Sequence, residues 1–328
     1  MKNKKIFKKM LAIILILESM LSLIGCSKVK ESSDTDVRKN IEFIVKMRSG
    51  DYWGTVQMGA NEAAKEFNVN MNFIAPDSEQ DIESQEKLVQ EAIDKKTDAI
   101  VLAASDYDKL SAVVNKAGEN KIPVIIIDSG VNTDKITSTV STDNFQAGKL
   151  AGEKLVDITG KNSRLALLSI VEGSESAKKR EEGFMSVLSA YPNVYLVAKE
   201  YCNSDESLAE NLTKKMLLGD SSIKGIVALN AAASLGACRA IEDLGLIGKV
   251  KLISFDSTIL QLQYLERGVT QATVVQNPFK MGYLGVKYAA MAARGNAVPK
   301  NENIELKVID KYNIYNSDNQ RFIFPFIK

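Results

Sequence analysis

The sequence contains no histidine among its 328 residues. Ser-His-Asp and Cys-His nucleophile pairs, imidazole bases and imidazole metal ligands are therefore excluded. Cysteine is scarce: Cys26, Cys202 and Cys238 are the only three, with no C-x-x-C pair. A thiolate zinc site and a dense disulfide framework fall away, and Cys202 and Cys238 are either buried free thiols or one disulfide. Charge of one sign is also missing. Lys plus Arg total 42 and Asp plus Glu 41, so no phosphate-neutralising basic face argues for nucleic-acid binding. Phosphate-loop, dinucleotide-loop and EF-hand motifs are absent, and Gly173-Ser174-Glu175-Ser176 lacks the second glycine of a nucleophile elbow. With no catalytic constellation, the chain reads as a non-enzyme needing no cofactor and no metal.

What is present begins with a distinct N-terminus. Lys2, Lys4, Lys5, Lys8 and Lys9 precede an apolar run, Met10–Leu17, of eight residues, too short for the ~20 a membrane-spanning helix needs. A basic start, a short apolar stretch and a small residue before Cys26 fit a secretory signal. Leu23-Ile24-Gly25-Cys26 resembles the bacterial lipoprotein box, which implies cleavage before Cys26 and lipidation of its sulfur. Glu18 interrupts the apolar region, an unfavourable place for a carboxylate. Removing residues 1–25 takes five lysines and one glutamate from those totals, leaving 37 basic and 40 acidic residues. Residues 26–40 are polar and read as a tether.

From Ile41 onward, apolar strand signals alternate with amphipathic helix signals. IEFIVKM (41–47), VNMNFIA (69–75), DAIVLAA (98–104), IPVIIID (122–128) and KITSTVST (135–142) are expected strands. Further strands are expected at 164–170, 194–200, 224–230, 249–256 and 270–276, with a last one at 304–309. Continuous apolar strands separated by helices indicate α/β architecture, with parallel sheets covered on both faces. The two halves repeat the architecture without repeating the sequence.

Ligands bind beyond the carboxyl ends of strands in such sheets, and polar residues recur there. Asp106 follows DAIVLAA, Asp128 ends IPVIIID, Asn230 ends KGIVALN, Asp256 ends KVKLISFD, and Gln276 ends TQATVVQ. One such residue alone is commonly a helix cap. Five on five strand ends suggest a set of carboxylates and amides matched to neighbouring hydroxyls. Tyr52 and Trp53, after the first strand, offer flat apolar surfaces.

Landmarks at these spacings resemble the type I periplasmic (solute) binding proteins of the ribose/galactose/xylose kind, over about Ile41 to Ile309. They are Asp51-Tyr52-Trp53, Gly59-Ala60, Asp128-Ser129-Gly130, Thr142-Asp143-Asn144 with Gly148, Arg180 with Gly183-Phe184, Asn230, Phe255-Asp256, and Gln276-Asn277-Pro278 through Met281-Gly282. The resemblance implies two Rossmann-like lobes joined by three crossings, near Thr142, Gln276 and Glu305, with ligand between them. The first lobe would be 41–142 plus 277–305, and the second 143–276 plus 306–328. Ligand contacts carry over to Asp128, Asn230, Asp256 and Gln276, with Tyr52 and Trp53 as aromatic walls and Asp106 added from its strand end.

Two departures stand out. Ser129 replaces a usual arginine, and Lys178 stands where a second arginine is expected, without its planar fork. Lys46 or Arg48 is a candidate for the missing cation.

The implied role is sugar or polyol capture for an ABC importer, anchored by lipid at Cys26 on the outer face of the cytoplasmic membrane. The alternative is a sugar-sensing subunit docked on a membrane histidine kinase. The same core occurs in LacI-like regulators, but residues 1–40 offer no helix-turn-helix. The tail Arg321–Lys328 holds three phenylalanines and two isoleucines in eight residues. It is expected either to fold back over the hinge or a lobe surface, or to be a docking strip for a membrane partner.

Overall fold

The structure, a computed structural model, describes residues 38–324. The expected signal, most of the tether, Cys26 and the last four residues of the tail lie outside the described residues. Two six-stranded sheets organise the rest. The first contains β1 (Lys39–Ile44), β2 (Val69–Ile74), β3 (Ala99–Leu102), β4 (Val124–Ile127), β5 (Ser138–Thr142) and β11 (Asn301–Ile304), in the order β11-β5-β4-β3-β1-β2. All its pairings are parallel. The second contains β6 (Ser163–Ser169), β7 (Val194–Tyr201), β8 (Ile223–Ala228), β9 (Lys251–Phe255), β10 (Ala272–Val275) and β12 (Lys307–Asp310), in the order β12-β10-β9-β8-β6-β7. Only β12 runs antiparallel, against β10.

The uninterrupted apolar runs take the central places. Every residue of β3, β4 and β10 is buried, as strands covered on both faces require. Helices α1 (Asp51–Glu66), α2 (Ile82–Asp94), α3 (Ser111–Glu119) and α9 (Pro278–Ala293) cover the first sheet. Helices α4 (Asn144–Thr159), α5 (Glu175–Leu188), α6 (Glu206–Gly219), α7 (Ala231–Asp243) and α8 (Ile259–Glu266) belong to the second lobe. Asx residues start several of them. The side chains of Asp81, Asp143, Asp205, Asn230 and Asn277 each accept a backbone N–H of the first turn, satisfying donors that have no partner inside the helix.

Glycines set the tightest helix contacts. A Cβ on Gly59 of α1 would run into the Phe279 carbonyl of α9, and one on Gly282 into the Val56 carbonyl. The second lobe repeats this: Gly148 of α4 faces the Arg180 carbonyl of α5, and Gly183 faces that of Phe145. These pairs give the glycine landmarks a physical reason, since the two backbones touch there.

The chain changes sheet three times: between β5 and α4, between β10 and α9, and between β11 and β12. The single strand expected at 304–309 is therefore two strands. β11 pairs with β5 in one sheet and β12 with β10 in the other, with Glu305-Leu306 between. Apolar patterning runs on through the crossing, so it carries no mark of the change.

Cys202 and Cys238 are free and buried, within one apolar cluster of the second lobe. Burial pushes both thiols up to about 12, which keeps them protonated and unreactive. The tail folds back. Helix α10 (Ser317–Ile323) buries Ile323 against Leu262, Leu265, Val275, Ile309 and Ile314, with Phe322 and Phe324 packed alongside.

Candidate functional site

The carboxyl ends of the two sheets face one another across a cavity of about 640 Å³. Tyr52, Trp53, Asp128, Asn230, Asp256 and Gln276 all line it. Asp128 follows β4 and Asp256 follows β9, and each has left-handed backbone, with φ of 60° and 71°. The Asp128 N–H donates to Val140 O at 3.2 Å, and the Asp256 N–H to Val274 O at 2.9 Å. The two aspartates thus hold equivalent places in the two lobes. Aspartate tolerates this conformation better than most residues, so each strand end can turn its carboxylate toward the cavity.

Their electrostatic settings differ. Lys46, just past β1, reaches Asp128 Oδ2 at 2.9 Å, and both side chains are buried. Tyr52 donates its hydroxyl to Asp128 Oδ1 at 2.8 Å. Burial alone would raise the Asp128 carboxyl, but Lys46 and Arg180 outweigh it and hold the group below its usual range. Tyr52 is itself pushed well above the ordinary phenol value by burial and by Asp128. Asp256 has no such cation in contact. Gln276 donates to its Oδ1 at 2.9 Å, and burial raises its carboxyl despite Arg180. Arg180 is held by Asn144 Oδ1 at 2.8 Å and Leu229 O at 2.7 Å, and lies over the Phe255 ring. Asn230 spends its Oδ1 on the Ala233 N–H and donates to Ser204 Oγ at 2.9 Å.

The lobes also touch beside the cavity. Lys46 donates to Ser174 Oγ and Ser176 Oγ at 3.3 and 3.2 Å. The Tyr107 N–H donates to Gly173 O at 3.0 Å, and the Ser176 N–H to Ser129 Oγ at 3.2 Å. Acceptors, an amide and two aromatic rings around one cleft suit a small ligand rich in hydroxyls. Among the described residues, no group of three His, Cys, Asp or Glu could hold a metal ion.

Two expected residues stand elsewhere. Asp106 does not line the cavity; its Oδ1 accepts the Asp108 and Lys109 N–H groups at 3.0 and 2.9 Å, so its carboxylate closes the turn that follows β3. Lys178 is exposed. On α5, Ser176 and Arg180 line the cavity, and a residue two places from each points about 200° away around the helix. Arg180 therefore supplies the cation expected from Lys178, and Lys46 supplies the one expected after the first strand. Glu79 and Ser204 also line the cavity and were not expected. The strand-end argument applied to β2 points to the loop holding Glu79; Ser204 sits past β7 by the same logic.

A family model for the periplasmic binding protein domain matches residues 41–297. The chain belongs to the periplasmic binding protein family. The matched span runs from β1 through α9 and includes every cavity residue named above. The ribose import binding protein of Haemophilus influenzae is 25% identical over 280 residues, covering 85% of this chain and 94% of that protein. Its Bacillus subtilis counterpart is 26% identical over 307 residues, covering 92% and 98%. Among solved structures, an ABC transporter solute binding protein from Agrobacterium vitis with bound D-fucose is 32% identical, covers 87% of this chain and 99% of that one, and gives a TM-score of 0.85. A sugar transporter from Clostridium phytofermentans is 35% identical over 84% of this chain and all of that one, at a TM-score of 0.78. No helix of this periplasmic binding protein, among the described residues, is long and apolar enough to cross a membrane.

Proposed function

We propose that this protein captures a small sugar or polyol between its lobes and delivers it to an ABC importer, without chemical change. The observation that carries the reading is the pair of equivalent aspartates, Asp128 and Asp256, presented from opposite lobes to one polar cavity. Asp256 with Gln276, and Asn230 beside Ser204, offer hydrogen bonds from the second lobe. Asp128 does so from the first, with Tyr52 and Trp53 as the flat wall. The named ligands of the relatives, ribose and D-fucose, are of the same chemical kind.

The basic start, the apolar run and the Leu23–Cys26 box support a lipid anchor at Cys26, which would hold the domain at the outer face of the cytoplasmic membrane. The alternative, a sensor docked on a membrane histidine kinase, drew support from an apolar tail free to bind a partner. Burial of Ile323 and the packing of Phe322 and Phe324 account for much of that tail, so the importer reading is preferred. Calorimetric screening of the mature domain against pentoses, hexoses and polyols tests it. Saturable binding of at least one supports the reading, and no binding across the panel contradicts it.

A further inference from the structure

We infer that Ser129 and Ser174 are positioning residues for ligand retention: helix α5 of the second lobe takes its N-terminal cap from the first lobe, so closing the cleft completes the helix that carries Ser176 and Arg180 into the site. The inference rests on the reading of the cleft as a sugar site and deepens it. Ser176 and Arg180 line the cavity, whereas Ser129 and Ser174 do not.

Ser174 stands at the N-cap of α5, with φ −69° and ψ 131°, yet its side chain makes no cap hydrogen bond. A serine there ordinarily accepts an N–H of the first turn, as Asp143, Asp205 and Asn230 do for other helices of the same lobe. The Ser174 hydroxyl instead accepts from Lys46 Nζ at 3.3 Å and lies 3.4 Å from Ser129 Oγ. The Ser176 N–H, in the first turn of α5, donates across the cleft to Ser129 Oγ at 3.2 Å. In return the Gly130 N–H points to Glu175 Oε2 at 3.5 Å. Hydroxyl to helix N–H one way and glutamate to backbone N–H the other is the reciprocal pattern of a capping box, here divided between the lobes.

Local structure makes the division possible. The Ser129 carbonyl accepts the Ala104 N–H at 3.3 Å, which ties the residue to the first sheet. Gly173, just before Ser174, has φ of 92°, and a Cβ there would run into Asp106 Oδ2, so glycine lets the two loops meet. Lys46, Ser129, Ser174 and Ser176 are each 3% exposed or less, so bulk water does not compete for these bonds while the lobes are shut. Opening gives up the α5 cap together with the Lys46 contacts. That loss falls on the opening step, and therefore on ligand release rather than on encounter.

Ser129→Ala, which deletes one oxygen from the first lobe, tests this. Without sugar, amide exchange followed residue by residue should quicken by ~2–10-fold at Ser176, the scale of one hydrogen bond, with the amides of β7 and α6 unchanged. The sugar probes are D-ribose, D-allose, D-arabinose and D-fucose. For each that binds, koff from release of the tritiated sugar should rise by ~2–10-fold. The kon, taken as koff over the calorimetric Kd, should stay within ~2-fold of wild type. Ser174→Ala should raise koff likewise. Unchanged Ser176 exchange in S129A would overturn the inference, as would faster exchange spread evenly over the second lobe, which marks lost global stability. Unchanged koff in both variants, or a loss of affinity carried by kon, would overturn it while leaving sugar capture standing. If none of the four sugars binds, the wider calorimetric screen decides the sugar reading and Ser176 exchange alone decides this one.

Discussion

Replacing each of the two equivalent aspartates by asparagine should change stability in opposite directions. Asparagine is the right probe because both positions have positive φ, which it tolerates; alanine would add a backbone cost of ~1–2 kcal/mol. Asp128→Asn removes the partner of a lysine that is 3% exposed. Stranding a buried charge costs about 3 kcal/mol or more, so the melting temperature at neutral pH should fall by roughly 6 °C or more. Asp256→Asn removes a carboxylate that its surroundings hold above its usual range, so the melting temperature should hold or rise. The pH dependence separates the two further. The Asp128 contribution is fully present above the unfolded value of ~3.9 and is lost as pH falls through its lower folded value. The Asp256 carboxyl keeps its proton longer when folded. Its contribution is fully present below ~3.9 and is lost as pH rises toward the raised folded value. The D256N gain should therefore vanish in acid. Ligand affinity should nevertheless fall by ~10-fold or more in D256N, since a desolvated hydroxyl loses a charged acceptor. Thermal melts from pH 3.5 to 8, with calorimetry at pH 7, measure all of this. A D256N variant that melts as low as D128N would refute the asymmetry, and unchanged affinity would remove Asp256 from the site.

Three further outcomes are expected. Gly148→Ala should destabilise by at least ~2 kcal/mol because its Cβ meets a backbone carbonyl that cannot move aside, whereas Gly219→Ala, with open space around it, should stay within ~1 kcal/mol of wild type; denaturant melts compare them. Trp53, the only tryptophan, lines the cavity, so its emission should shift saturably at the calorimetric Kd, and a silent Trp53 would place the ligand elsewhere. Cys26→Ser should move the protein from the membrane fraction to the soluble fraction of the producing cells, and unchanged fractionation would contradict the lipid anchor.

The sheets and helices were legible because burial on both faces leaves a plain mark: short β-branched runs such as Val124–Ile127, alternating with amphipathic helices, suit covered parallel strands. The resemblance placed a crossing near Glu305, but the division of 304–309 into β11 and β12 was not legible, because both short strands carry similar patterning and differ only in the sheet they join. At the site, Asp128, Asn230, Asp256 and Gln276 could be placed from strand ends alone, since the topology brings those ends together. Asp106 shows where the argument fails: a strand-end carboxylate satisfies the N–H groups of its own turn just as well. Lys178 fails through helix phase: Ser176 and Arg180 share the cavity face of α5, and the residue between them points away from it. Glu79 was missed because it is held in the cleft by hydrogen bonds with the side chains of Ser204 and Trp53, contacts between distant segments that no local pattern records.

The most direct test of the central claim is a crystal structure of the mature domain with the tightest-binding sugar from the calorimetric screen. The account predicts one sugar enclosed between the lobes, hydrogen-bonded to Asp256 and Asn230 on one side and Asp128 on the other, against the Tyr52 and Trp53 rings. Sugar density outside that cavity, or an empty cleft at saturating ligand, would contradict it.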